Sequence, residues 1–278
     1  MNILRSSAEL MVWKAAHPDC AFVPTMGNLH AGHISLIAQA KLSSLPVVAS
    51  IFVNPLQFGA GEDFERYPRT FEADCDKLKE SGCDALFAPG MDDLYPQPQA
   101  YFVEPPPLAN ELCGQFRPGH FRGMLTVVLK LLNLVQPRIA VFGKKDYQQL
   151  ALIRGMVAQL NLPIEIQAGE TLRAPDGLAL SSRNGYLSEV ERTEAPRLYA
   201  CLKVIADALA LGRRDIEELE VQALDTLYQH GWKVDYLSVR RPDLALPTAN
   251  DTHFVVLGAA WLGKTRLIDN IETMSNRL

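Results

Sequence analysis

Phe22-Val23-Pro24-Thr25-Met26-Gly27-Asn28-Leu29-His30-Ala31-Gly32-His33 is the stretch from which the fold is read. Its apolar start has the composition of a buried strand, its middle carries turn residues, and the HISLIAQAK that follows has the apolar spacing of a helix. Strand, glycine-bearing turn and helix in that order form the first part of a βαβ unit. A helix start of this kind offers unpaired backbone N–H groups and the positive end of the helix dipole, which suits a phosphate. His30 and His33 stand three positions apart across that start, so both imidazoles are expected to face one anion. The positive helix end disfavours the imidazolium and a bound triphosphate favours it, so their charge is expected to rise when a nucleotide arrives. The plainer alternative is a pair of histidines that only cap or pack. A two-histidine metal site lacks an acid or a third ligand at suitable spacing.

Outward from this turn, short apolar runs alternate with helix-length amphipathic stretches. AFVPT, PVVASIFV, DALFAP, RIAVFG and IEIQAG are the strand candidates, with helices beginning near His33, Thr70, Gly123 and Tyr147. Runs of Val, Ile and Phe without polar alternation predict strands covered on both faces. The expected fold is α/β, a Rossmann-like doubly wound parallel sheet over residues 1–171, with ligands at the carboxyl ends of its strands. The texture changes after Gly169 to a Gly- and Ser-rich segment, helices rich in Glu, Leu and Ala, and short strands at VDYLSV, HFVVLG and TRLIDN. A smaller α+β domain is therefore expected over 172–278. The proline-rich stretch Tyr95–Gly119 reads as a long loop, functional or mobile.

The chain has 278 residues, a formal net charge of −5, 48% hydrophobic and 21% charged residues. That balance is ordinary for a globular protein and argues against a nucleic-acid partner, which leaves a basic footprint. Cys20, Cys75, Cys83, Cys113 and Cys201 are scattered, with no metal-type spacing. The N-terminus has no secretory pattern and no apolar run long enough for a bilayer, so the expected compartment is the cytoplasm, with no membrane partner.

Two further segments carry polar groups suited to phosphate. Gly143-Lys144-Lys145-Asp146-Tyr147-Gln148-Gln149 follows the RIAVF strand, where lysine supplies a point charge and a carboxylate can hold ribose hydroxyls. Ser181-Ser182-Arg183 places two hydroxyls and a guanidinium on one loop. Gln57 and Gln149 offer neutral amides to a hydroxy acid, and buried structural glutamines are an equal reading. The segment Arg117–Arg122 either closes over the site or is a solvated patch. Gly258-Ala259-Ala260-Trp261-Leu262-Gly263-Lys264-Thr265 fits the P-loop pattern, but the residues after it read as a strand rather than a helix, so it is taken as coincidence.

His30-Ala31-Gly32-His33 matches the H-x-G-H motif of the nucleotidyltransferase and class I aminoacyl-tRNA synthetase superfamily. PTMGNLHAGH, RPGHFRG, GKKDYQQ, LALSSRNGYL and RLIDN, in that order, resemble the pantothenate synthetase family across nearly the whole chain. The resemblance implies ATP-driven condensation of (R)-pantoate with β-alanine through an acyl-adenylate, with Mg2+ on the phosphates and a homodimer. It implies catalytic roles for His30, His33, Lys145, Ser181, Ser182 and Arg183. ATP contacts are implied for Met26, Gly27, Asn28, Leu29, His30, Ala31, Gly32, His33, Gly143, Lys144, Lys145, Asp146, Leu172, Leu180, Ser181, Ser182 and Arg183. Gln57 and Gln149 map onto pantoate-binding positions, the smaller domain onto a lid, and metal ligands are not indicated. Lys144 departs from the glutamate expected there. The rival reading is a nucleotidyltransferase of the same superfamily that stops at nucleotide transfer.

Overall fold

Each of the five apolar runs becomes a strand in the computed structural model, which describes residues 1–275. The chain divides into two units, Met1–Gly143 with Leu152–Glu170, and Lys144–Ala151 with Thr171–Leu278. Residues 276–278 of the second expected domain lie outside the described residues.

In the first unit β1 (Asn2–Leu4), β2 (Ala21–Thr25), β3 (Val47–Ile51), β4 (Ala85–Phe87), β5 (Ile139–Gly143) and β6 (Glu165–Gly169) form a 6-stranded sheet in the order β1-β4-β3-β2-β5-β6. Every pairing is parallel. The helices of the unit are α1 (Ser7–Ala16), α2 (Ala31–Lys41), α3 (Phe71–Glu80), α4 (Met91–Leu94), α5 (Cys113–Phe116), α6 (His120–Val135) and the body of α7 (Tyr147–Gln159). Alternate strand residues face opposite sides. Ala21, Val23, Val47, Ala49, Leu86, Ile139 and Val141 pack with Leu36 and Ile37 of α2 and Leu78 of α3. The intervening Phe22, Val48, Phe87 and Ala140 are equally buried, on the side where α6 meets β2. Double coverage explains why these strands lack polar alternation.

Besides short helices such as α4 and α5, the elements not legible in the sequence include β1 and α1. The edge strand β1 is only Asn-Ile-Leu and pairs with β4 alone. Helix α1 is announced by Ser6 and Glu9, spaced as in a capping box, and the Ser6 hydroxyl accepts from Glu9 N at 3.2 Å. The proline-rich loop holds a 3-10 turn at Pro107–Asn110 and the short α5.

In the second unit α8 (Glu189–Glu194), α9 (Arg197–Ala210) and α10 (Ile216–Gln229) precede β7 (Lys233–Arg240), β8 (His253–Leu262) and β9 (Thr265–Met274), an antiparallel sheet in that order. Its core sets Leu198, Leu202, Ile205 and Leu227 of the helices against Val239, Phe254, Val256 and Leu267 of the strands. Among the described residues no helix is long and apolar enough to cross a membrane. All five cysteines are free and buried.

Candidate active site

Strand β2 pairs with β3 along its whole length, but with β5 only at Ala21↔Ile139 and Phe22↔Ala140. Ala21 N donates to Pro46 O on the β3 side, so by alternation the nitrogen of Pro24 faces β5, where no ladder bond is made. A proline is therefore tolerated in a central strand. From β2 the chain runs outward through β3 to β4, then returns to the other side of β2 as β5. The carboxyl ends of β2 and β5, which do not pair with each other, thus mark the switch point of the sheet, the place where such folds take ligands.

The turn leaving β2 is held by a carboxylate from α3. Gly27 and Asn28 both have positive φ, 85 and 50, which turns the N–H groups of Asn28 and Leu29 onto buried Asp74. Asn28 N donates to Asp74 Oδ2 at 2.8 Å and Leu29 N to Oδ1 at 2.7 Å. A Cβ on Gly27 would stand 3.2 Å from that Oδ2. Lys77, one turn along α3, donates to Leu29 O at 2.6 Å.

Helix α2 then begins with His30 as its N-cap. Gly32 N donates to His30 Nδ1 at 3.1 Å, and His30 N donates to His33 Nδ1 at 3.3 Å. The ring centroids lie 4.1 Å apart. An Nδ1 that accepts a backbone N–H leaves the ring proton on Nε2, so both histidines are fixed as Nε2–H donors at the helix N-terminus. Forming an imidazolium would set an Nδ1–H against the backbone donor. Capping through Nδ1 is therefore compatible with donation from Nε2 of the same ring.

Gln57 ends the 3-10 turn Pro55–Gln57 that follows β3, and it is buried. Asn54 Nδ2 donates to Gln57 Oε1 at 3.0 Å and to Gly123 O at 3.2 Å, while Tyr95 OH donates to Asn54 Oδ1 at 2.8 Å. Burial pushes the Tyr95 hydroxyl well up, so it stays a donor. With Oε1 taken, Gln57 presents its Nε2, which stands 3.1 Å from Met26 Sδ. Gly123 admits this turn, since a Cβ there would fall 1.9 Å from Leu56 O. Arg117 binds Glu62 bidentately at 2.7 and 2.6 Å, and His120 Nδ1 lies 2.7 Å from Gln57 O. The expected Arg117–Arg122 patch is thus partly an internal clasp, although Arg122 is exposed and pairs with Glu104 at 3.1 Å.

In the second unit, Lys144–Asp146 forms a 3-10 turn and Gln149 lies in the first turn of α7. Lys144 Nζ meets Glu272 Oε2 at 2.6 Å. Residues 172–180 fold back on themselves, Leu180 N donating to Leu172 O at 2.9 Å, with Gly177 at φ 94 in the turn. Ser181 follows directly, its Oγ accepting from Arg183 N at 3.3 Å. Ser182 opens the 3-10 turn Ser182–Tyr186. The P-loop look-alike is the β8–β9 hairpin: Leu262 pairs with Thr265, and Gly263-Lys264 is its two-residue turn. Strand β9 follows the turn directly, so the turn does not open into a phosphate-binding helix start.

The family model of pantoate-beta-alanine ligase matches residues 2–272. The chain belongs to that family. A pantothenate synthetase of Thiobacillus denitrificans is 57% identical over 277 residues, 99% of this chain and 98% of the relative. One of Chromobacterium violaceum is 59% identical over 274 residues, 98% and 99% of the two chains. Among solved structures, a pantothenate synthetase of Thermus thermophilus has TM-score 0.92 and 43% identity, covering 98% of this chain and 99% of its own. A pantoate-beta-alanine ligase of Francisella tularensis, complexed with beta-gamma ATP and beta-alanine, has TM-score 0.81 and 36% identity, covering 98% and 97%.

For a pantoate-beta-alanine ligase, the first unit gathers Met26, Gly27, Asn28, Leu29, His30, Ala31, Gly32 and His33 into the β2–α2 turn, with Gly143 closing β5 and Gln57 beside Met26. The second unit holds Lys144, Lys145, Asp146, Gln149, Leu172, Leu180, Ser181, Ser182 and Arg183. Sequence reasoning missed Asp74, Lys77, Asn54 and Tyr95. An Asp and a Lys three apart on a helix, or an Asn before a Pro, look like ordinary surface and turn residues. Only their partners mark them out.

Proposed function

We propose that this chain condenses (R)-pantoate with β-alanine, consuming ATP and releasing AMP and pyrophosphate, through a pantoyl-adenylate. The observation that carries the proposal is the pair of histidines that cap α2 through Nδ1 and so present Nε2–H donors at a helix start. A carboxylate is a poor electrophile. Its oxygen first attacks the α-phosphorus of ATP, a new P–O bond forming as the bond to the leaving pyrophosphate breaks. Charge grows on the phosphate oxygens in that step. His30, His33, Lys145, Ser181, Ser182 and Arg183 supply donors and positive charge to it, and one such donor is commonly worth about 10²–10³ in rate. The β2–α2 turn, with Lys144 and Asp146, contributes further contacts to the nucleotide. The amide N–H of Gln57, together with Gln149, binds pantoate without neutralising the attacking carboxylate.

In the second step the β-alanine amine attacks the acyl carbon and AMP leaves. Holding the partners together is the main contribution there. The second unit serves as the lid that shields the adenylate from water. Mg2+ neutralises phosphate charge when bound. Among the described residues no group of three or more His, Cys, Asp or Glu is placed to hold a metal ion. The enzyme works in the cytoplasm as a homodimer in this reading.

The test is pyrophosphate exchange into ATP, with pantoate and with close analogues. Exchange that requires pantoate, followed by AMP release only when β-alanine is added, is the expected outcome. Exchange without any acid, or nucleotide transfer with no amide product, would reject it in favour of a simple nucleotidyltransferase.

A further inference from the structure

Two segments assigned to the nucleotide in the proposed function, Lys144–Asp146 and, through the hairpin that precedes it, Ser181–Arg183, are tied to three residues of β9, Asp269, Asn270 and Glu272. Asn270 is buried, and its Nδ2 donates to both Lys144 O and Lys145 O at 2.9 Å. Both amide hydrogens are used, which fixes the orientation of the side chain and of the two peptide planes from which Lys145 projects. On the same face of the strand Glu272 accepts from Lys144 Nζ at 2.6 Å and from Tyr147 OH at 3.0 Å. From the opposite face Asp269, also buried, takes the Arg173 guanidinium in a bidentate pair at 2.5 and 2.9 Å. Arg173 donates further to Gly177 O and Asn270 O, each at 3.1 Å, and lies 3.8 Å over the Tyr199 ring. It thereby holds the 172–180 hairpin that leads directly into Ser181.

We infer that Asn270 and Asp269 are positioning residues for the adenylation step. Asn270 aims Lys145 through the backbone, and Asp269, acting through Arg173, sets the hairpin that carries Ser181–Arg183. The inference rests on the proposed function. It also gives the lysine at position 144 a partner on the same strand, since its ammonium is engaged by Glu272.

The experiment is a double-mutant cycle read by pantoate-dependent pyrophosphate exchange. Asn270→Ala is measured in the unmutated chain and in Lys145→Ala, with Lys264→Ala as a control on the same hairpin. Expected is a loss of about 100-fold in the unmutated chain, with the KM for pantoate unchanged, shrinking to less than about threefold when Lys145 is already gone. Equal losses in both backgrounds, or no loss in the first, would overturn the inference, because a merely structural asparagine costs the same whatever residue 145 is. If Asn270→Ala loses cooperative melting, Asn270→Ser, which keeps one donor, carries the same cycle. An unmutated chain without pantoate-dependent exchange rejects the functional reading and this inference with it. An active chain indifferent to Asn270 rejects the inference alone.

Discussion

At the scale of single residues, the imidazole resolves what looked like a choice. A helix-capping histidine and a phosphate-binding histidine seemed to be alternatives, yet the ring has two nitrogens, and in His30 and His33 the backbone occupies Nδ1 on each. His33→Ala removes an Nε2–H donor and the acceptor that anchors His30 N–H. The expected result is a fall of about 10²–10³-fold or more in single-turnover adenylation, with about 1 kcal/mol of stability lost at the cap. Near-normal adenylation in a folded variant would refute the role. Gln57 follows the same logic. Its sequence context leaves the direction of the amide open, and Asn54 decides it by donating to Oε1.

At the scale of elements, α3 and the 59–66 loop show how the site is braced from outside its own motif. Asp74 satisfies two N–H groups of the β2–α2 turn, and Glu62 clasps Arg117, which also reaches His120 Nε2 at 3.0 Å. Burial alone would raise the Glu62 carboxyl, but the hydrogen bonds and charge of Arg117, with His120 nearby, hold it below the ordinary glutamate range. Because the folded value is depressed, the clasp stabilises fully above the unfolded value of about 4.3 and fades as pH falls through the lower folded value. Glu62→Gln should therefore cost about 1–3 kcal/mol in chemical unfolding at neutral pH, and progressively less in acid as pH falls through the folded value. A cost that does not change between those conditions would show that the pair does not set the pH dependence.

At the scale of the whole molecule, the proposed reaction requires the native chain, not the unfolded one, to bind ATP. Free ATP at a hundred times its dissociation constant should then add about 2.7 kcal/mol to unfolding, seen as a rise in the thermal or denaturant midpoint. Pantoate should strengthen that rise only in the presence of intact Gln57. A midpoint indifferent to ATP would count against nucleotide binding at any site.

The sequence by itself determined the strand and helix succession, because doubly covered strands must be apolar throughout and amphipathic helices must repeat their apolar face. It also determined the family, since the β2–α2 turn, GKKDYQQ and the Ser181–Arg183 loop are local runs whose spacing is read directly. Short β1 escaped, being three residues of an edge strand with no pattern long enough to see. Only the tertiary structure decided which ordinary-looking residues brace the site. Asp74, Asn54, Asp269 and Asn270 act on partners far away in sequence, and the carboxylate or amide that satisfies a distant backbone group carries no local signature. The same holds for Gly258–Thr265, where the letters of a P-loop close a hairpin because strand pairing on both sides leaves room for a two-residue turn and none for a helix.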